Sequence, residues 1–209
     1  MSTPEVTTRR VDRYQGAVLV AAMAAVMWAL EVVDQVFSGA HLDQYGIRPH
    51  DVPDGILGIV SAPFLHAGFG HLIGNTIPFL VLGFTIALSG LARVAATTAI
   101  VALVGGLGVW LFARSGTDHI GASGIVFGYA SYLIARGVFS RNVLHLGVGL
   151  VVIALYGSTL LFGFAPRDGI SWQGHLFGAV GGVAAARLLD ARRARPGRPD
   201  SPPLAGLPR

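Results

Sequence analysis

Six stretches of mostly apolar residues divide the chain, at 16–37, 71–88, 95–112, 121–134, 143–162 and 172–189. Each approaches the roughly 20 residues that an α-helix needs to cross the hydrocarbon of a bilayer. Lipid offers the backbone no hydrogen-bond partners, so spans of this kind must satisfy their own peptide groups as helices. Composition points the same way. Hydrophobic residues make up 53% of the chain and charged residues 12%, with a mean hydropathy of +0.62; soluble proteins carry about 25% charged residues. The expected class is an all-α integral membrane protein, a bundle of six transmembrane helices. The absence of cysteine excludes disulfides, thiolate metal ligands and a cysteine nucleophile.

All 15 basic residues are arginines, and the pI is about 10.1. Their placement beside apolar runs suits membrane topology rather than a nucleic-acid groove. With six spans and the N-terminus inside, twelve of the arginines fall in inner segments, while Arg48, Arg114 and Arg167 fall outside. That bias predicts cytoplasmic N- and C-termini. The reading divides the chain into a cytoplasmic tail (1–15), a membrane core (16–189) and a basic Pro/Gly-rich tail (190–209) expected to be disordered. Arginine in place of lysine and abundant Ala and Gly fit a bacterial source with GC-rich coding, hence a bacterial inner membrane.

The first run is preceded by Arg9, Arg10 and Arg13 and interrupted by Glu31 and Asp34. A signal peptide is the alternative; a retained span is the preferred reading, its two acids facing protein or headgroups near the outer end. The long outer connection, 38–70, contains the apolar patch "ILGIVSAPFLHAGFG" and is expected to fold onto the helices.

Polar side chains inside spans are costly and usually serve a function. Here His71 and Asn75 open the second span, Ser123 the fourth and His175 the sixth. These three spans run from outside to inside, so all four residues share one depth near the outer surface. Singly, each is weak: a serine in a helix commonly bonds its own backbone, and a lone histidine is commonly a packed one. His66, His71 and Asn75 make a poor metal set with no acidic ligand, and no H-E-x-x-H occurs.

Together the four have a chemistry. A serine hydroxyl becomes a nucleophile when a base lies within about 2.6–3.2 Å, and His175 stands at the right depth. Negative charge on an attacked carbonyl requires donors. The unpaired N–H groups of the fourth helix's first turn, including that of Ser123, supply some; His71 and Asn75, one turn apart on one face, supply others. No Asp or Glu lies in the last three spans, and the loop residues Asp118 and Asp168 are weak candidates to orient the base. A Ser–His dyad follows, with the imidazole held by packing against Phe127, four residues beyond Ser123. Gly124 and Gly128 on the fourth span, and Gly174, Gly178 and Gly182 on the sixth, permit the close helix approach that the dyad needs.

The segments "HAGFGHLIGN" (66–75), "GASGIVFG" (121–128, opening at Gly121) and "GHLFGAVGG" (174–182) resemble, in order and placement, the three motifs of rhomboid intramembrane serine proteases. The resemblance implies a six-helix core, Ser123 as nucleophile and His175 as base. It also implies an oxyanion hole from His71, Asn75 and the Ser123 amide, with His66 as a structural outer histidine. It implies transmembrane protein substrates cut near the outer membrane surface, and no metal or other cofactor. The chain departs from the family pattern in two places. Its first outer loop has Ile47 before Arg48 where a Trp–Arg pair is frequent, and Phe127 stands where some members have Tyr. A non-catalytic binder on the same fold is the main alternative; such relatives usually lack the Ser or the His. A small transporter would place its polar groups near the bilayer midplane instead.

Overall fold

The computed structural model describes residues 4–37, 41–167 and 169–190. It contains seven α-helices and no strand among these residues: α1 (Pro4–Val36), α2 (Asp54–Ser61), α3 (Phe69–Ala87), α4 (Leu91–Phe112), α5 (Ser123–Ser140), α6 (Val143–Gly163) and α7 (Trp172–Asp190). Six are long and match the six apolar runs; α2 is a short helix within the first outer connection. By length and composition α1, α3, α4 and α6 could each cross a membrane on their own. The other two long helices, α5 and α7, fall short of that test because Arg136, Arg187, Asp190 and many glycines dilute their hydropathy. α5 is the inner helix, enclosed by protein, whereas α7 packs on it by one face and leaves Leu176, Val180, Val183 and Leu188 open on the other.

Several boundaries differ from the sequence expectation. α1 continues back through Arg9, Arg10 and Arg13, arginine being a good helix former. Asp12 on this extension accepts a hydrogen bond from the Leu91 amide at 3.0 Å, tying α1 to the start of α4. α5 runs on to Ser140, beyond the expected end at 134, because Arg136 is matched inside the bundle. Its Nε lies 3.3 Å from Asp190 and its Nη1 donates to Ser89 at 2.8 Å. Arg93 and the Tyr132 hydroxyl complete the partners of Asp190, at 3.1 and 3.2 Å. Asp190, assigned to the tail from sequence, is therefore the last residue of α7; the remainder of that tail, 191–209, lies outside the described residues.

The core gathers around α5. Phe79 of α3 stacks on Tyr129 at 5.6 Å, and Val20, Met27, Leu72, Leu82, Ile86 and Tyr132 are fully buried nearby. As expected, Glu31 faces protein: it is 2% exposed and accepts from Gln35 at 3.0 Å. Asp34 accepts from the Leu42 amide at 2.6 Å, so it holds the outer connection to α1.

That connection is folded rather than a plain loop. It makes two short 3₁₀ turns, Leu42–Tyr45 and Ala62–Phe64, on either side of α2. Ile47, Ile59 and Ala62 pack on Val109 of α4 and on Ala113, just past its end. The missing loop tryptophan has a counterpart on the opposite partner: Trp110 of α4 donates to the Asp51 carbonyl at 3.0 Å. His50 adds bonds to Ser115 and to the Leu111 carbonyl, at 2.9 and 3.1 Å. Arg48 pairs with Asp51 and Asp54 at the surface.

Candidate active site

Ser123 is the first residue of α5, preceded by Gly121 at φ +108° and Ala122 at φ −74°. The left-handed φ requires glycine at 121. So does space: a Cβ there would lie 2.6 Å from His71 Cε1, 2.8 Å from His71 Nε2 and 3.6 Å from Asn75 Nδ2. The two side chains from the first turns of α3 thus converge on the backbone just before Ser123. Gly121 is held by its amide, which donates to the Ala62 carbonyl at 2.9 Å. The Ala122 amide points to His66 Nε2 at 3.4 Å, which leaves the Ser123 amide at the open end of the helix.

His66 is 2% exposed and its ring meets that of His71 edge to face at 5.1 Å. Burial, reinforced by the neighbouring His71, pushes the His66 imidazole down to about 4, with the Phe64 carbonyl offsetting part of the shift. A neutral His66 is what an acceptor for the Ala122 amide requires. His71 is oriented from the other side, its Nδ1 accepting from the Ala67 amide at 3.4 Å. The proton of a neutral His71 ring therefore sits on Nε2, the ring nitrogen that faces Gly121. Asn75 is 6% exposed; its Nδ2 donates to the His71 carbonyl at 3.2 Å, which uses one amide hydrogen and leaves the second.

His175, in the first turn of α7, is 8% exposed. Its ring lies flat on Phe127, with centroids 4.0 Å apart and planes at 5°. Phe164 meets the other edge of Phe127 at 5.5 Å. The imidazole is held by more than packing: Nδ1 lies 2.8 Å from the carbonyl oxygen of Gly163, at the end of α6. A carbonyl only accepts, so Nδ1 donates, and in the neutral ring Nε2 is the free acceptor. No carboxylate orients this histidine among the described residues; Asp118 belongs to the surroundings of His119 instead, and Asp168 lies outside the described residues.

The close approach of α5 and α7 is made by the expected glycines. A Cβ at Gly124 would sit 3.2 Å from the Gly174 carbonyl oxygen, and one at Gly128 would sit 2.9 Å from that of Gly178. At Gly178 and Gly182 a Cβ would collide with the Gly124 and Gly128 carbonyls. Ser123 and His175 are thereby brought to facing helix starts. Their side chains share no hydrogen bond in this conformation among the described residues. Catalytic hydrogen bonds are often long before substrate is bound.

Two features have no signal in the sequence that would have singled them out. One is Gly163, whose contribution is a backbone carbonyl and so has no residue signature. The other is a chain through His119, which bonds Thr117 through Nε2 at 2.9 Å and Ser171 through Nδ1 at 2.7 Å. Ser171 in turn caps α7, accepting from the Gly174 amide at 3.2 Å. Burial holds His119 below the usual histidine range, offset in part by Asp118. A small cavity of about 50 Å³, lined by Ser123, Gly124, Ser171 and Gly174, lies beside the serine. A wider basin of about 790 Å³, lined by His71, His119, Ser171 and Trp172, opens at the outer end of the bundle.

Similar proteins are known. An uncharacterized protein of Mycobacterium tuberculosis (strain H37Rv) is 46% identical over 200 residues, covering 90% of this chain and 82% of its own length. An uncharacterized protein of Mycobacterium leprae is 43% identical over 198 residues, covering 90% and 77%. The rhomboid protease GluP of Bacillus subtilis is 29% identical over 131 residues, covering 62% of this chain and 25% of its own. Residues 53–192 match the sequence profile of the rhomboid domain, which takes in α2 to α7 and every motif described above. A helical membrane bundle carrying these motifs in this order, over two thirds of its length, belongs to the rhomboid family.

Proposed function

We propose that the chain is an intramembrane serine endopeptidase that hydrolyses a peptide bond in or near the transmembrane segment of a membrane protein, using Ser123 and His175 as a dyad. The observation that carries this reading is the orientation of His175. Stacked on Phe127 and donating Nδ1–H to the Gly163 carbonyl, it keeps Nε2 as the acceptor of a neutral imidazole.

In this mechanism Ser123 Oγ attacks the scissile carbonyl carbon while His175 Nε2 takes its proton. The tetrahedral oxyanion accepts hydrogen bonds from the Ser123 amide, His71 Nε2–H and Asn75 Nδ2–H, the donors gathered around Gly121. His175 returns the proton to the leaving amine, and the C–N bond breaks to give an acyl-enzyme. Water from the outer basin, activated by the same nitrogen, then hydrolyses the ester and regenerates Ser123. His66 supports the hole by fixing the Ala122 amide, and Gly121, Gly124, Gly178 and Gly182 support it by helix approach. The arginine bias supports cytoplasmic termini in a bacterial inner membrane, with the site toward the outer face.

Fluorophosphonate labelling of purified protein in detergent tests the dyad. Labelling of wild type and its loss in both Ser123→Ala and His175→Ala is the expected result. A folded wild type that stays unlabelled, beside a membrane serine protease labelled in the same buffer, would favour a binding protein of this fold without catalysis.

A further inference from the structure

The end of the bundle away from Ser123 holds a cavity of about 700 Å³ for which the proteolytic reading has no use. It opens between α3 and α6, with α5 as its floor and the start of α1 along its rim. Three arginines line it, Arg9, Arg13 and Arg136, against one carboxylate, Asp12. That carboxylate is engaged with the Leu91 amide. Arg136 is 6% exposed, a buried cation at the cavity floor. Its Nε is used on Asp190 and its Nη1 on Ser89, while Nη2 has no hydrogen-bond partner among the described residues. The walls are of the opposite character. Leu88 and Leu144 line the cavity and are 64% and 74% exposed, so hydrocarbon is what meets them in a membrane.

We propose that this cavity binds the phosphate of an anionic membrane lipid, with Arg9, Arg13 and Arg136 as its donors and an acyl chain along Leu88 and Leu144. Guanidinium groups match phosphate oxygens with paired N–H bonds. Basic pockets between helices at the inner membrane surface are suited to such headgroups, and this is the arginine-rich end of the bundle. Free phosphate would use the same donors but would gain nothing from the apolar mouth, which is the ground for choosing the lipid.

The test titrates the full chain, delipidated in detergent, with phosphatidylglycerol and separately with phosphatidylcholine of the same acyl chains, counting bound lipid by native mass spectrometry. Wild type should prefer phosphatidylglycerol by on the order of tenfold, and Arg9→Gln/Arg13→Gln should reduce that preference to about twofold or less. These side chains are exposed, so their change should leave the fold intact, which circular dichroism of the variant checks. Arg114→Gln/Arg167→Gln removes the same charge from the opposite end and should keep the preference. Excess inorganic phosphate should leave phosphatidylglycerol bound. Equal binding of the two lipids, an equal loss in both double variants, or displacement by inorganic phosphate would each overturn the proposal. The readout is binding, so its failure and the failure of the protease reading are separate results.

Discussion

Two consecutive helices, α5 and α6, are held in opposite ways. α5 buries residues on every side, ten of its eighteen from Ile125 to Gly137, and meets α7 through glycine backbones. α6 is more apolar along its length yet buries only Gly149 and Val152, and Val143, Leu150, Leu155 and Leu161 lie open on its surface. The contrast separates two uses of an apolar sequence. Lipid is as good a solvent for leucine as another helix is, so hydrophobicity alone gives α6 no reason to pack tightly. What fixes α5 against α7 is close steric approach, which only small residues allow. α6 still reaches the site through its last residue, Gly163, whose carbonyl accepts from His175.

The largest expected effect is at the glycine seam. Gly178→Val would drive a side chain into the Gly124 carbonyl and should cost about 3 kcal/mol or more, lowering the melting temperature and abolishing labelling together. A variant with wild-type melting and activity would break the distinction between the two helices.

Gly163→Ala sharpens it. An added Cβ would press on Phe127 and lie 3.1 Å from His175 Nδ1. Because α6 is loosely held, stability should change little, while the labelling rate should fall roughly 100-fold from misplacement of the base. An unchanged rate would remove α6 from the chemistry.

Acid should reach the site through His66 before it reaches the seam. Burial lowers this imidazole to about 4 from an ordinary value near 6.5, so the unfolded chain takes up the proton first. Its contribution to stability is complete above about pH 6.5 and is lost as pH falls from there toward 4, by at most about 1.4 kcal/mol per pH unit. Thermal melts from pH 7.5 to 4.5 should show that slope, and His66→Asn should reduce it while the smaller share of the buried His119 stays; an equal slope in the variant would place the sensitivity elsewhere. The smallest effect should be Leu155→Ala, on the exposed face of α6, within about 0.5 kcal/mol by the same melts.

Much of this protein is legible in the order of its residues. The apolar runs mark the long helices because crossing a bilayer is a local requirement on about twenty consecutive residues. Ser123, His71, Asn75 and His175 stand out because polar groups are rare in such runs, and the helical rise alone sets them at one depth. The small residues of α5 and α7 mark a close approach without saying how much depends on it. Helix ends are less legible: Arg136 reads as the edge of a span until Asp190, 54 residues away, is seen to pair with it.

The amino-acid sequence by itself determined the membrane class, the six helices and the chemical identity of the polar groups, since these follow from side chains and their spacing. Only the tertiary structure decided which nitrogen of His175 is left free, that Trp110 of α4 anchors the outer connection together with His50, and that arginines of α1 and α5 line one cavity. The physical reason is common to all three. A backbone carbonyl is the same at every residue, and a cavity belongs to no segment, so neither leaves a mark until the helices are set side by side.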